Sequence, residues 1–143
     1  MSTLRTNALE GVDAKNSITI VAGAGNITTT NVQEGLCKVW CSINQDSSGH
    51  PVYDSFNVTS TTDAATGQTR IAFTNNMGND DYADVLNGTG QNESSFGGGN
   101  FSVTEFANSG AKSTSQVQTD CRTDAGASRD NHDAKVIIMG DLA

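Results

Sequence analysis

Over residues 36–83, apolar and polar positions alternate in short runs separated by Gly-, Asn- and Asp-rich turns. This is the period-2 signature of strands with one buried face. The run 36–43 places Cys37, Val39, Cys41 and Ile43 on one face and Lys38, Trp40 and Ser42 on the other. In 52–58, the residues Val52, Phe56 and Val58 share a face, with Tyr53 and Asn57 opposite. A turn centred on 65–68 then leads into 69–73, where Ile71 and Phe73 share a side. These runs predict a β-meander with one buried face.

The flanking segments read differently. Residues 1–34 hold no aromatic residue and one good strand, 17–22, containing Ile18 and Ile20. An Ala-Gly run and a threonine string follow it. Such a segment cannot bury a core alone, and fully extended it would reach on the order of 100 Å. It is expected to be an arm that pairs with sister chains or docks on a neighbour, the alternative being a plain linker. Beyond the meander, 87–93 and 96–100 read as loops, 101–106 and 113–119 as strands, and 124–133 as an exposed polar loop. The closing run 134–139 is continuously apolar, as in a strand buried on both faces. No helical period occurs. The expectation is an all-β fold, an antiparallel β-sandwich of about seven to nine strands. It divides into an extended N-terminal arm, residues 1–34, and a head, residues 35–143.

Composition changes this picture in one respect. Only 35% of the 143 residues are hydrophobic and 6% aromatic, so a lone core would be thin. Gly, Ser, Thr and Asn make up roughly two-fifths of the chain. That composition fits either disorder or a β protein that completes its burial by oligomerising, and the strands are too regular for disorder. Candidate core or subunit-interface residues are Ile18, Ile20, Trp40, Phe56, Phe73, Val136 and Ile138. The net charge of −8 comes from scattered acids and reads as solubility. No basic stripe interleaved with aromatics points to nucleic acid, and no apolar run approaches the ~20 residues of a membrane span. The first residues lack the apolar core of a secretory signal. Cys37, Cys41 and Cys121 make an odd count. On one strand, Cys37 and Cys41 would lie ~13 Å apart, too far to bridge. Three buried thiols formed in a reducing cytoplasm are expected.

Candidate chemistry is sparse. His50 and His132 sit in no recognisable nucleophile context, and no esterase, zinc-protease or phosphate-loop motif occurs. Asp54, Asp80, Asp81 and Asp84 read as turn formers rather than a glycosidase pair. The segments 46–49 and 129–133 lack the spacing of a calcium loop. Sequons at Asn26, Asn57, Asn87, Asn92 and Asn100 read as coincidental without a signal sequence. No catalytic residue, metal or cofactor is therefore expected.

One resemblance is carried by the order of several strings. These are Gly35-Leu36-Cys37-Lys38-Val39-Trp40, then Asp54-Ser55-Phe56-Asn57-Val58-Thr59-Ser60, then Thr62-Asp63-Ala64-Ala65-Thr66-Gly67. Ile71-Ala72-Phe73-Thr74, Asp80-Asp81-Tyr82-Ala83 and the closing Val136-Ile137-Ile138-Met139-Gly140-Asp141 continue the order. The chain thereby resembles a module of tailed-phage virion proteins, found in tail fibres and other appendages, notably of marine phages. The likeness spans about two-thirds of the chain and departs at Cys41 and over 87–127. It implies a homotrimeric, fibre-like structural protein of the virion, made in the bacterial cytoplasm and docked on other virion proteins through the arm. It also implies contact with a host surface glycan or protein through the loops 87–99 and 123–133, with Asn92, Phe96, Asn100, Asp130 and His132 as candidates. A capsid or tail decoration or adaptor protein is the alternative, and an enzyme that trims host polysaccharide is a distant third.

Overall fold

A computed structural model describes residues 19–22, 28–31, 35–89, 102–105, 112–123 and 125–143. The chain forms two compact units, Met1–Leu36 and Cys37–Ala143. In the first, β1 (Thr19–Ala22) pairs antiparallel with β2 (Thr28–Asn31), Thr19 opposite Asn31 and Ala22 opposite Thr28. The β-branched residues of both segments favour a pleated strand. The chain therefore doubles back inside the stretch expected to run extended. Ile20 lies in β1, whereas Ile18 falls outside the described residues.

The second unit begins with β3 (Cys37–Ile43), β4 (Val52–Phe56), β5 (Val58–Ala65) and β6 (Gln68–Phe73). It continues with β7 (Ala83–Thr89), β8 (Ser102–Glu105), the two-residue β9 (Lys112–Ser113), β10 (Gln116–Arg122) and β11 (Asp133–Met139). One antiparallel sheet has the order β4-β3-β11-β7 and the other β5-β6-β10-β8, with β9 also paired to β10. The fold is all-β, as expected, built on two four-strand antiparallel sheets. The inner faces of both contribute to one hydrophobic cluster. Val39, Cys41, Ile43, Val136 and Ile138 come from the first sheet, and Ile71, Phe73 and Val117 from the second. Met77 and Tyr82, on the connection into β7, complete it. The Tyr82 ring meets Phe73 edge-on at 6.0 Å, and its hydroxyl reaches the Ser113 and Gln116 carbonyls at 3.2 and 3.0 Å.

The meander expectation fails at Asn57. Strands β3–β4 and β5–β6 are hairpins, the latter with a Thr66–Gly67 turn between Ala65 and Gln68, but β4 and β5 lie in different sheets. Asn57 is the corner, with φ of 60° in the left-handed region that Asn tolerates better than most residues. Its carboxamide donates to the Lys38 and Asn75 carbonyls, both at 3.1 Å, and accepts from the Asn75 backbone N–H at 2.7 Å. A bulge precedes the corner. Ser42 pairs with Asp54 but Ile43 with Val52, so Tyr53 is the extra residue on β4. The bulge reverses the alternation: Val52 packs on the core, while Phe56 points outward. The expected shared face of Val52, Phe56 and Val58 is thus split.

Other segments also depart from the sequence reading. The apolar run in β11 is not buried on both faces, because Ala134, Val136 and Ile138 are buried while Ile137 and Met139 are exposed. The run 113–119 is not one strand, since Thr114 and Ser115 form the turn between β9 and β10. Asn87, Gly88 and Thr89, expected to open a loop, close β7 against β11. Part of the expected 124–133 loop is not exposed: Asn131 is fully buried, and Arg129 and Asp130 are half-buried.

Candidate functional site

The described residues bring two features together that bear on function, one sealed inside and one on the surface. The sealed feature lies where the β3–β4 connection, the β5–β6 turn and the loop before β11 converge. Gln45, His50, Thr69 and Asn131 are all buried there. His50 Nδ1 lies 2.7 Å from Thr69 Oγ1, and Nε2 faces the carboxylates of Asp63 at 3.6 Å and Asp130 at 3.9 Å. Gln45 donates to Thr69 Oγ1 at 2.9 Å and to the Gly67 carbonyl at 3.3 Å, and its own carbonyl accepts the Asn131 N–H at 3.1 Å. The Gly67 N–H donates to Asp130 Oδ1 at 2.6 Å, and the Gly67 carbonyl accepts the Cys121 N–H at 2.8 Å.

Hydroxyl, imidazole and carboxylate follow one another in the order of a nucleophile relay. The Thr69 hydroxyl is nevertheless wholly buried and already bonded to Gln45. Its geometry serves cohesion, joining three loops through hydrogen bonds that would cost about 1–3 kcal/mol each to leave unmade. Sequence reading missed Gln45 and Asn131 because polar residues in loops look solvated, and Thr69 because a polar residue in a strand reads as facing water. His50, which precedes Pro51, adopts φ of 49° in the structure, a strained position that the sequence does not show.

Two of the three thiols, Cys41 and Cys121, are buried, whereas Cys37, also expected inside, is only half-buried. Burial pushes Cys41 up to about 12 and Cys121 up to about 11, the latter with the Asp120 and Asp130 carboxylates adding to the rise against hydrogen bonding from Gln45 and Asn131. All three cysteines are free.

The surface feature is the outer face of the β4-β3-β11-β7 sheet. Phe56 lies opposite Trp40, Trp40 opposite Ile137, and Ile137 opposite Val85. The register therefore lines four large apolar side chains across all four strands. Phe56 is 52% exposed, Ile137 47% and Val85 64%. The neighbouring row is polar and reads Asp54, Ser42, Lys135, Asn87. Beside it, Asp133 accepts hydrogen bonds from Ser42 at 2.6 Å and from Lys135. Burial raises the Asp133 carboxyl, but these two bonds outweigh it and hold the group below the usual carboxylate range. The second sheet differs: its outer face carries Thr62, Arg70 and Gln118 in register, with Arg70 donating to Gln118 at 3.1 Å. Among the residues whose burial is described, exposed large apolar side chains are thus concentrated on one sheet.

The sequence-based candidates divide accordingly. Phe73, Val136 and Ile138 are core residues, whereas Trp40 and Phe56 stand on the outer face. Asp130 is drawn into the polar cluster. His132 lies on the surface beside Tyr53, ring centroids 6.3 Å apart, with Asp46 3.5 Å from its Nδ1. Asn92, Phe96 and Asn100 fall outside the described residues. Among the described residues, no group of three or more His, Cys, Asp or Glu side chains is arranged to hold a metal ion, and no helix is long and apolar enough to cross a membrane. Comparison with protein-family models, curated proteins and solved structures finds no match.

Proposed function

We propose that this chain is a structural protein of a phage virion: a small homotrimeric appendage whose β-sandwich head projects from the particle. Residues 1–34 join it to other virion proteins, and its loops meet the host surface. The observation that carries the reading is the apolar row Phe56–Trp40–Ile137–Val85, three of whose members, Phe56, Ile137 and Val85, a solitary chain leaves exposed. A thin core with a surplus apolar face on one side is what a subunit presents when burial is completed by assembly. The order of motifs shared with phage appendage modules supplies the virion setting.

Light scattering on the purified full chain tests the assembly, with an expected mass three times the 14.9 kDa of one chain. A stable monomer at all concentrations would sink the trimer. The setting is tested by immunogold labelling of the phage particles with serum raised against the protein. Labelled tails together with blocked host adsorption support an appendage; labelled capsids with normal adsorption support a decoration or adaptor role. Unlabelled particles overturn the virion reading. Incubation with host glycans is expected to release no new reducing ends.

A further inference from the structure

We infer that the outer face of the β4-β3-β11-β7 sheet is where copies of this chain meet one another, the aromatic half of one face packing on the aliphatic half of the next. The inference deepens the proposed function and rests on its reading that the chain self-associates. The face divides along its middle. On one side β4 and β3 supply Phe56 and Trp40; on the other β11 and β7 supply Ile137 and Val85. Any rotation axis running along the strands, two-fold or three-fold, brings the first half of one copy against the second half of its neighbour at the same height. Flat rings then meet β-branched side chains, a favourable apolar pairing.

The polar row supports the same arrangement. It places Asp54 in the aromatic half and Lys135 in the aliphatic half, two strands apart. The rotation that packs Trp40 on a neighbour's Ile137 brings Asp54 toward that neighbour's Lys135. Lys135 is bound to Asp133 in its own chain, yet an ammonium carries three donors and can serve both. Packing the face in the opposite sense, aromatic half on aromatic half, needs an axis across the strands, which reverses strand direction and carries the two polar rows apart, so Asp54 and Lys135 of neighbouring copies do not meet. Only the first orientation therefore gains a charge pair.

The face is small. Four strands about 4.8 Å apart and seven residues at about 3.3 Å give roughly 400 Å². This is below the ~800 Å² per partner of a standard interface. Association through this face is therefore concentration-dependent, and ring closure strengthens it.

Disulfide trapping tests the contact directly in the full chain, in a Cys37→Ser background. Phe56 and Val85 stand at opposite edges of one face, about 14 Å apart, too far for a bond within a chain. The Phe56→Cys/Val85→Cys variant is expected to oxidise to covalent oligomers, and each single variant to give none. Ile137→Lys is expected to shift the native chain to monomer with an unchanged circular dichroism spectrum. Lys135→Glu is expected to weaken association about threefold, and Asp54→Lys in the same chain to restore it. Trapped species that end at three chains uphold both the face and the trimer. A ladder that ends at two upholds the face and overturns the trimer. An Ile137→Lys protein that keeps the full oligomeric mass overturns the face while leaving self-association standing. Trapping by Phe56→Cys alone overturns the orientation, and a wild-type chain that is monomeric throughout overturns the inference altogether.

Discussion

Gly67 carries more of this fold than any other single residue in the β5–β6 turn. Its φ of +74° lies in the left-handed region, and a Cβ there would sit 2.5 Å from the Cys121 carbonyl oxygen and 2.8 Å from the Arg129 nitrogen. Both are backbone atoms that cannot swing aside. Gly67→Ala is therefore expected to cost more than about 2 kcal/mol in urea unfolding, whereas an alanine at exposed Gly126, with open space around it, suffers only from its φ of +81°. Asp133 sets a different expectation. Its folded pKa is depressed, so its contribution to stability is present above the ordinary carboxylate pKa and is lost as pH falls through the folded value. Asp133→Asn should lower stability at pH 7 and flatten its decline below about pH 4, read from unfolding midpoints across that range. A curve for the variant parallel to wild type would show that Asp133 does not govern the acid limb.

At the scale of elements, two irregularities decide which residues face water. Asn57 turns the chain from one sheet to the other using both its backbone conformation and its carboxamide. Asn57→Gly keeps the conformation and loses the bonds, while Asn57→Ala loses both. The expected order of stability is wild type, Gly, Ala, with the Ala variant down by about 2–3 kcal/mol in chemical denaturation. Strand β11 offers a paired control on neighbouring, chemically identical residues. Ile138 is fully buried and Ile137 is 47% exposed. Ile138→Ala should cost about 2–5 kcal/mol. Ile137→Ala should cost under about 1 kcal/mol in the dilute protein. Equal losses would mean that the outer face is covered within a single chain.

For the whole molecule, the proposed self-association through the apolar face predicts a stability that depends on concentration. If sister chains cover that face, the melting temperature rises with protein concentration by mass action. Ile137→Lys should abolish that rise while matching the wild type at high dilution, a comparison that calorimetry over a hundredfold range of concentration makes. A wild-type melting temperature independent of concentration would separate the outer face from assembly. The buried polar cluster contributes otherwise: Gln45, His50 and Thr69 join loops distant in the chain, so it stiffens one region of the head rather than opening a site.

Alternation alone was enough to place one strand of each hairpin, β3 and β6. Val39, Cys41 and Ile43 inside, Ile71 and Phe73 inside, and the turn at Thr66–Gly67 all follow from a period of two and from turn chemistry, which act between neighbours in the chain. The all-β class followed from the same local rule. Tertiary structure alone decided what depends on partners far along the chain. The bulge at Tyr53 turned Phe56 outward, and the corner at Asn57 sent β5 to the other sheet. The pairing of β11 between β3 and β7 exposed Ile137 in a strand whose composition reads as fully buried. Period and composition carry no term for which sheet a strand joins. The apolar row is therefore invisible in the sequence: its four residues come from four strands and meet only through long-range register. The polar cluster was hidden for the same reason, because the burial of a polar residue is set by what packs over it.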